Sequence, residues 1–381
     1  MKRKIVLAIV VSLLSLVAYL CFWPVPIQPV SWQAPAAPGY VGAHAVNNTL
    51  AGLQIISLGT ATGPEHVVLA DDGKLYASVD GGNILRMNAD GSAQEVFVNT
   101  GGRALGFDFD AAGNLIVADA HKGLLSINPA GEINVLADSV EGHAIRFADA
   151  VVVAANGKMY FSDASTRFAA DGGVLGSELQ DPSFRDIMEQ SATGRLLEFN
   201  PDTGTVRLVA RGFSFANGVA LSSDETMLFV AETGRYRVWE IAVTADKLDI
   251  ARADPLARVL MDNLPGFPDN LMRGVDGKIW LGFPASRDPA LDALSDKPFL
   301  RKLVFRLPGF LLPPRQPYGH AIAFTEDGKV VADLQDPTGA FPRVTGITET
   351  ADRLYVHTLN HNGLGWLPRR AGPSPLVVTP E

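Results

Sequence analysis

Four residues with oxygen-bearing side chains stand at matching positions of a sequence pattern that recurs along the chain: Glu65, Asn217, Asp269 and Asn270. Each stands at the start of an apolar run in which the first strand of a repeat unit is expected. Carboxylate and amide oxygens are the ligands preferred by hard divalent cations such as Ca²⁺ and Mg²⁺, and not by zinc. If the fold brings the four side chains together, they predict a site for such a cation. The simpler alternative is that each residue only caps its strand or binds neighbouring backbone groups.

Candidates for acid–base catalysis are few. The chain contains neither a G-x-S-x-G nucleophile elbow nor an H-E-x-x-H zinc motif. Two histidines, His121 and His320, lie where loops meet strands in the repeat pattern and could act as general bases. Asp269 is a further candidate base, although a carboxylate that binds a cation is a poor base because the positive charge lowers its pKa. Each histidine, taken singly, is also explained as an ordinary polar residue.

The recurring pattern itself must position these residues. Each copy has an alternating apolar run, a tight turn that is usually Asp-Gly or Asn-Gly, and a second run that ends near an Asp or a Thr, which is typical of a β-hairpin. The clearest copy spans residues 65–80. Further copies begin at Gly106, Phe147, Asn217, Asp269 and Val344. Their starts are roughly 40 to 75 residues apart, which is the spacing of propeller blades that carry loop insertions.

The two ends of the repeat region predict how the ring closes. The last copy supplies only three strands, whereas residues 53–58 form a strand candidate with no hairpin partner before it. A ring without open sheet edges results if this N-terminal strand completes the last blade. The sequence therefore predicts an all-β fold, a six-bladed β-propeller over residues 51–370, followed by a C-terminal tail at 371–381.

The N-terminal segment predicts a membrane anchor. Lys2, Arg3 and Lys4 precede an uncharged apolar run over residues 5–23, which is long enough to cross a bilayer as one helix. The basic start places the N-terminus in the cytoplasm and the propeller on the periplasmic, luminal or extracellular side. A cleaved signal peptide is the alternative. Residues 24–50 are rich in proline and predict an extended spacer between the membrane and the propeller.

Two insertions and the overall charge narrow the class of partner. Residues 167–193 and 284–318 both follow a second strand, so they are expected on one face of the ring as lids or binding loops, with Ser183 as a helix cap in the first. Residues 299–312 are apolar and basic and could also touch a membrane. The net charge of −9 argues against nucleic acid, because phosphate binding needs a basic face. A cation or a small molecule is the expected ligand.

Several short motifs recur at the strand starts and loops of the pattern: Gly-Pro-Glu at 63–65, Phe-Ala-Asp at 147–149, Ala-Asn-Gly at 216–218, Pro-Asp-Asn at 268–270 and Tyr-Gly-His at 318–320. Together they resemble the strictosidine-synthase-like family, of the adipocyte plasma membrane-associated protein type. The resemblance covers residues 53–367 and extends to the gluconolactonase/regucalcin and paraoxonase superfamily. It implies a six-bladed propeller with a divalent cation, usually Ca²⁺, at the channel mouth. The ligands that it implies in this chain are Glu65, Asn217 and Asp269 with Asn270.

Three positions qualify what the resemblance implies. Ala148 stands where relatives have an Asn, which removes one expected ligand or substrate contact, and the adjacent Asp149 could compensate. Arg146 matches an arginine that gluconolactonase relatives place near the substrate, so Arg146 and Asp149 are the expected substrate contacts. Thr345 stands where true strictosidine synthases have a catalytic glutamate, which argues against a condensing activity.

These observations support three functional hypotheses. The first is a membrane-anchored hydrolase of lactones or aryl esters that depends on a divalent cation, with Ca²⁺ as the expected ion. The second is a non-catalytic, ligand-binding propeller with a structural cation, a reading that Ala148 favours. The third is a strictosidine-synthase-type condensing enzyme, against which Thr345 argues.

Overall fold

The computed structural model describes residues 2–170, 178–312 and 316–369. The predicted tail at 371–381 and short parts of both insertions therefore lie outside the described residues. The chain begins with helix α1 (Lys2–Phe22), which is followed by a strand-rich domain. Twenty-four strands of that domain form six antiparallel sheets of four strands, which are the blades of the propeller.

The first two blades follow a single closing strand, β1 (Gln54–Ser57). Blade one consists of β2 (His66–Leu69), β3 (Lys74–Ser78), β4 (Asn83–Asn88) and β5 (Glu95–Asn99). Blade two consists of β6 (Ala104–Phe109), β7 (Leu115–Asp119), β8 (Gly123–Ile127) and β9 (Ile133–Ala137). A short separate hairpin, β10 (Ser139–Val140) with β11 (His143–Ala144), leads into the next blade.

Blades three and four contain the insertion helix and an extra edge strand. Blade three consists of β12 (Ala148–Val153), β13 (Met159–Asp163), β14 (Gly194–Asn200) and β15 (Thr205–Phe213), with helix α2 (Pro182–Glu189) inserted between β13 and β14. Blade four consists of β16 (Ala216–Leu221), β17 (Met227–Glu232), β18 (Arg237–Ala242) and β20 (Ala257–Met261). The short β19 (Leu248–Asp249) pairs in parallel with β15 and so extends blade three.

The last two blades contain the second insertion and the closure. Blade five consists of β21 (Leu271–Arg273), β22 (Ile279–Gly282), β23 (Gly319–Phe324) and β24 (Val330–Asp336), with α3 (Pro289–Ala293) and α4 (Pro298–Val304) between β22 and β23. Blade six consists of β25 (Val344–Glu349), β26 (Arg353–Thr358), β27 (Gly363–Pro368) and β1. β1 is antiparallel to β27, with Gln54 opposite Trp366 and Ser57 opposite Gly363. The predicted six blades and their closure by the N-terminal strand are thus confirmed.

The hydrophobic core lies between neighbouring blades rather than at the centre of the ring. Tyr76 and Ile84 of blade one, for example, pack against Phe107 and Leu115 of blade two. Because most blade faces meet another blade, the inner strands are buried on both sides, as β7 and β13 are throughout their length. The central channel is left to the residues at the beginnings of the first strands.

The acidic residue that ends many copies of the repeat fixes the start of the first strand of the same blade. Asp119 Oδ1 accepts a hydrogen bond from the backbone N–H of Arg103 (3.1 Å), and Asp163 Oδ1 accepts one from Phe147 (2.9 Å). Glu232 Oε1 likewise accepts from the N–H of Ser214 at 2.9 Å. These carboxylates satisfy buried backbone donors that would otherwise be unpaired, so the repeated acidic residue positions the rim of the channel.

Helix α1 is long and apolar enough to span a membrane. It has 21 residues, and none of them is buried against the rest of the protein. Its C-terminal end is held by the second insertion, because the Arg306 guanidinium donates to the carbonyl oxygens of Leu20 (2.9 Å) and Trp23 (2.8 Å). The anchor therefore leaves the propeller on the face that carries the insertions.

The segment after α1 is not the free spacer that its proline content predicts. This segment, the N-terminal strap (residues 24–48), runs across the insertion face. The backbone N–H of Val30 donates to the Glu189 carbonyl (2.8 Å) and that of Trp32 to the Ser295 carbonyl (3.1 Å). Ile27 is 1% exposed, in a cluster with Phe184 of α2. The spacing of prolines gave no sign of this docking, since the partners lie more than 150 residues away in sequence.

One sequence-based detail of the first insertion needs correction. The predicted cap of its helix, Ser183, lies inside α2, and the N-cap is Asp181. The Asp181 carboxylate accepts a hydrogen bond from the backbone N–H of Ser183 at 2.8 Å, which satisfies a donor in the first turn. Pro182 occupies the first helical position, where its missing N–H costs nothing.

We expect Arg301→Met to loosen the strap. Arg301 is 2% exposed, and its guanidinium donates to the carbonyls of Met188 (2.8 Å), Ser295 (2.9 Å) and Val30. Methionine keeps the apolar stem but removes these hydrogen bonds, of which the Ser295 carbonyl keeps one from the Trp32 N–H, and the loss costs about 2–4 kcal/mol. The thermal unfolding midpoint should fall by several degrees, and limited proteolysis should cut the strap first. Lys302→Met on the same helix is the matched control, and an equal loss in both variants would contradict this role of Arg301.

Candidate functional site

β-Bulges turn polar side chains of the first strands into the channel. The register of β12 with β13 shifts between Ala148 and Val151, and that of β16 with β17 shifts between Ala216 and Val219. A bulge leaves an unpaired residue whose side chain is re-aimed. In blade three Asp149 and Ala150 lie opposite the single residue Ser162, and in blade four Asn217 and Gly218 lie opposite Ala231.

Gly218 allows blades four and five to approach closely. Its N–H donates to the Asp269 carbonyl at 3.2 Å. A Cβ atom at this position would lie 2.3 Å from the backbone nitrogen of Leu271 and 2.4 Å from the Asp269 oxygen, so no other residue fits. The Asn-Gly motif therefore has a physical reason: the glycine brings the Asn217 side chain next to Asp269.

The convergence produces one cavity at the insertion end of the channel, hereafter the channel cavity, with a volume of about 120 Å³. Glu65, Asp149, Asn217 and Asp269 line it and come from four different blades. Asp149, Asn217 and Asp269 are only 3%, 5% and 4% exposed, whereas Glu65 keeps part of its surface open to the cavity. The remaining walls are apolar residues, rim residues and insertion residues: Asp80, Arg103, Leu105, Phe147, Asp181, Ser183, Ile187, Phe215, Thr233, Phe267, Pro284, Ala285, Arg343 and Leu359.

The carboxyl groups of the cavity oppose one another's ionisation. Burial is the largest cause, and it raises the pKa of Glu65 to about 7, even though the Arg103 guanidinium lowers it. Burial and the Glu65 charge raise the pKa of both Asp149 and Asp269 well above the ordinary value. A hydrogen bond from Asn217 partly offsets this for Asp269. Such a cluster needs either bound protons or a compensating positive charge.

Two buried oxygen atoms in the cavity have no hydrogen-bond partner: Oδ1 of Asp149 and Oδ1 of Asn217. Buried polar atoms without partners are rare because each costs the desolvation of the group. Oxygen donors, mutual repulsion and unpartnered lone pairs together fit a divalent cation of the calcium or magnesium type. Glu65, Asp149, Asn217 and Asp269 are the side chains that could hold it.

Two further polar residues support this set from behind. The Asn270 side-chain amide donates to the backbone carbonyl of Glu65 at 3.1 Å, and the Thr345 hydroxyl donates to the same oxygen at 2.7 Å. Asn270 thus lies beside the cavity lining and fixes the backbone of Glu65. Its role as a cation ligand stays a prediction.

The structure places the other sequence-predicted site residues away from the channel cavity. Arg146 is exposed, and its guanidinium lies 3.5 Å from the Thr166 carbonyl. His121 is exposed and contacts the carbonyl of Ala170 through Nε2 (3.1 Å). His320 lies on the third strand of blade five. Within the described residues no histidine lines the cavity, so the bases that it offers are carboxylates.

Arg103 is the cavity residue that sequence reasoning missed. It precedes β6 and lies 5.9 Å from the centre of the Phe147 ring. Its charge lowers the pKa of the three cavity carboxyls, so it is the positive group that faces them. Its place two residues before the bulge of blade two is a signal that could have identified it. The equivalent position of blade three is Phe147, and Arg146 lies one residue further from its bulge with an exposed side chain.

Known proteins share both the sequence and the architecture of this chain. A family model of the SMP-30/Gluconolactonase/LRE-like region matches residues 64–288. Protein STRICTOSIDINE SYNTHASE-LIKE 7 of Arabidopsis thaliana is 30% identical over 356 residues, which cover 88% of both chains. The adipocyte plasma membrane-associated protein of Danio rerio is 31% identical over 361 residues, which cover 86% of this chain and 82% of the relative. The chain belongs to the strictosidine synthase-like family.

Solved structures agree on the fold of this strictosidine synthase-like protein. A gluconolactonase of Xanthomonas campestris covers 90% of it with a TM-score of 0.57 at 18% identity, and 96% of that structure is matched. A calcium-binding protein, regucalcin, of Agrobacterium tumefaciens covers 83% with a TM-score of 0.53 at 13% identity, with 93% of that structure matched. At these identities the likeness shows the fold alone.

We expect the strictosidine synthase-like protein to lose stability with rising pH when no cation is bound. The native pKa of Glu65 (about 7) lies above its ordinary value of 4.5, so the folded state holds the proton more tightly. Stability from this group is complete below pH 4.5 and is lost as the pH rises through 7. The melting temperature of the chelator-treated protein should fall by a few degrees as the pH rises from 4.5 through 7, and added Ca²⁺ should abolish this fall. Glu65→Gln should show a flatter profile; a slope equal to that of the natural protein would contradict the assignment.

Proposed function

We propose that this strictosidine synthase-like protein is a membrane-anchored hydrolase of lactones or aryl esters that depends on a divalent cation. The observation that carries the proposal is the convergence of Glu65, Asp149, Asn217 and Asp269 from four blades into one cavity with unpartnered oxygen atoms. The fold of a gluconolactonase and of a calcium-binding regucalcin supports Ca²⁺ as the first ion to test.

Three of the cavity side chains have the role of ligands. Glu65, Asn217 and Asp269 would hold the cation, since the Asn-Gly and Pro-Asp-Asn motifs bring the last two into contact. A cation held there polarises a carbonyl oxygen as a Lewis acid. Asn270 and Thr345 position Glu65 through its backbone oxygen, which keeps the ligand set rigid.

The remaining cavity residues carry out the chemistry on the substrate. Asp149 accepts a proton from water as the water oxygen bonds to the carbonyl carbon, because one of its oxygens is free of other partners. The ester C–O bond then breaks, and the leaving alkoxide oxygen takes the proton, which yields an acid and an alcohol. Arg103 stabilises the negative charge that develops on the carbonyl oxygen. Phe147 and Phe215 form an apolar wall for an aryl or alkyl group.

The proposed location follows from the anchor. With α1 in the membrane and its basic start in the cytoplasm, the propeller lies on the periplasmic, luminal or extracellular side. The relatives named adipocyte plasma membrane-associated protein support a membrane location. Arg306 ties the end of α1 to the insertion that also lines the cavity, so we propose that the cavity opens toward the bilayer surface.

Hydrolysis by the full chain in detergent tests the proposal. Phenyl acetate and a set of five- and six-membered lactones are assayed with added Ca²⁺ and with excess chelator. We expect turnover that chelator abolishes and Ca²⁺ restores. Turnover that is insensitive to chelator would contradict the proposal. If no substrate is hydrolysed but Ca²⁺ still raises the melting temperature, the alternative of a non-catalytic propeller with a structural cation is favoured.

A strictosidine-synthase-type condensation has no support at its expected position. Thr345 is 0% exposed and its hydroxyl is engaged by the Glu65 backbone, so it offers no carboxylate for acid–base chemistry. Membership of the strictosidine synthase-like family therefore does not imply a condensing activity for this chain.

A further inference from the structure

A second cluster of chemically capable side chains lies outside the channel cavity. His44 of the strap and His320 of blade five both approach the same carboxylate oxygen of Asp333: His44 Nδ1 lies 2.8 Å and His320 Nε2 lies 3.1 Å from Asp333 Oδ2. The three residues come from the strap, β23 and β24, which are brought together only by folding. None of them lines the channel cavity.

We propose that His44, His320 and Asp333 form a binding site for a zinc-type divalent metal ion that clamps the N-terminal strap to blade five. Two imidazole nitrogens and one carboxylate oxygen are a ligand set of zinc, which leaves a fourth position for water. With bonds of about 2.0–2.2 Å, ligand atoms around a tetrahedral ion lie about 3.3 Å apart. The two distances from Asp333 Oδ2, 2.8 Å and 3.1 Å, are close to this value, and all three ligand atoms lie within 4.8 Å of one another.

Outer contacts hold the carboxylate in place for this role. Its other oxygen, Asp333 Oδ1, accepts hydrogen bonds from the side-chain amides of Asn47 (3.2 Å) and Gln335 (2.5 Å). The Gln335 amide also donates to the His44 carbonyl at 3.1 Å. Such second contacts orient metal ligands and raise metal affinity in proteins.

The aromatic surroundings fix the orientation of His320. Its ring lies 4.7 Å from the ring of Phe283 and 5.5 Å from that of Tyr40, and Tyr318 stacks on Tyr40 at 4.9 Å. His320 and the Asp333 side chain are 1% and 2% exposed, whereas the His44 side chain is 16% exposed. The site is thus closed on the blade side and open to metal exchange on the strap side.

The consequence of a bound ion is a crosslink between the membrane-proximal strap and the propeller. Without metal, hydrogen bonds of His44 and Asn47 to blade five attach this part of the strap. With metal, coordinate bonds to His44 would hold it in addition. The clamp is independent of the proposed hydrolase function, because its donors include nitrogen and lie on different residues.

Titration of the metal-stripped full chain in detergent with ZnCl₂ tests the site. Excess Ca²⁺ is present to saturate the channel cavity, and affinity is read by calorimetry against a competing chelator. We expect one Zn²⁺ per chain, with His44→Gln weakening binding by about 100-fold or more, because loss of a ligand costs more than the 10–100-fold that loss of an outer partner costs. Zn²⁺ should also protect the strap from protease in the natural protein but not in His44→Gln.

Two controls make the test decisive. His143→Gln replaces an exposed histidine on the β10–β11 hairpin and should leave Zn²⁺ affinity unchanged. Glu65→Gln should also leave it unchanged, which separates this site from the channel cavity. Equal affinity of His44→Gln and the natural protein would overturn the proposal, as would Zn²⁺ binding that Glu65→Gln removes.

Discussion

Glu65→Gln and Asp269→Asn should each reduce cation-dependent hydrolysis by about 100-fold or more, and neither should destabilise the cation-free protein. Both changes remove a ligand charge, so cation affinity falls and the carbonyl loses its electrostatic partner. They also remove a buried ionisable group: burial raises the pKa of both carboxyls in the natural protein, and the Glu65 charge raises that of Asp269 further. The cation-free variants should therefore melt at or above the temperature of the cation-free natural protein.

Two measurements on the same samples check this expectation. Hydrolysis of phenyl acetate gives kcat/KM, and melting curves with and without Ca²⁺ give the stabilisation by the ion. Asp80→Asn is the matched control because its carboxylate is at the exposed rim of the cavity and accepts a hydrogen bond from Thr62 (2.7 Å). If Glu65→Gln kept the full Ca²⁺-induced rise in melting temperature, Glu65 would not be a ligand.

This pair of effects distinguishes a cation site from a set of strand caps. A carboxylate that satisfies backbone donors stabilises the protein when ionised, as Asp336 does by accepting from the N–H groups of Thr338 (3.0 Å) and Ala340 (2.9 Å). Its replacement by an amide would lower the melting temperature with or without Ca²⁺. Loss of activity together with a gain in cation-free stability is expected only where charges are held together for a ligand.

The ring and its closure could be predicted from the sequence because they depend on local patterns. Alternating runs around Gly turns define the hairpins. The last copy of the repeat lacks a fourth strand, and the unpaired strand at 53–58 could complete it. Glu65, Asn217 and Asp269 could be placed at the channel for the same reason, as each begins a first strand.

The remainder of the site could not be predicted, because it depends on geometry that sequence spacing does not encode. The bulge of blade three sends Asp149 into the cavity, while Ala148 is 0% exposed in the core between blades two and three. Ala148 itself is not among the lining residues, and the expectation that it removes a ligand or substrate contact stays a prediction. Likewise, Arg103 directly precedes Ala104 as Phe147 directly precedes Ala148, and only the fold shows that the Arg103 side chain faces the carboxylates.

The positions of the insertions and of the strap likewise depend on contacts between residues that are far apart in sequence. His320 was a candidate base because it follows a loop glycine, yet its ring packs beside Asp333 and the strap. No periodicity in residues 24–48 indicates that buried arginines on the second insertion will bind their backbone carbonyls. These contacts arise only once blade five and the strap are folded together.

Asp149→Asn is the variant that separates binding from catalysis. The change is isosteric and keeps one carbonyl oxygen for contacts, but it removes the proposed proton acceptor. We expect kcat to fall by about 100- to 10,000-fold, the range for loss of a general base. The Ca²⁺-induced rise in melting temperature should persist, because Glu65, Asn217 and Asp269 are unchanged.

The pH profile of the natural protein gives an independent readout of the same group. Cation binding lowers the pKa of nearby carboxyls, so kcat should rise on an acidic limb as Asp149 loses its proton, and Asp149→Asn should lack that limb. Asn217→Ala provides the opposite pattern, since it removes a neutral ligand and should weaken Ca²⁺ binding while leaving the limb in place at saturating Ca²⁺. If Asp149→Asn instead lost Ca²⁺ binding as completely as Glu65→Gln, Asp149 would be a fourth ligand. The general base would then have to be a water molecule or a carboxylate at the rim of the cavity.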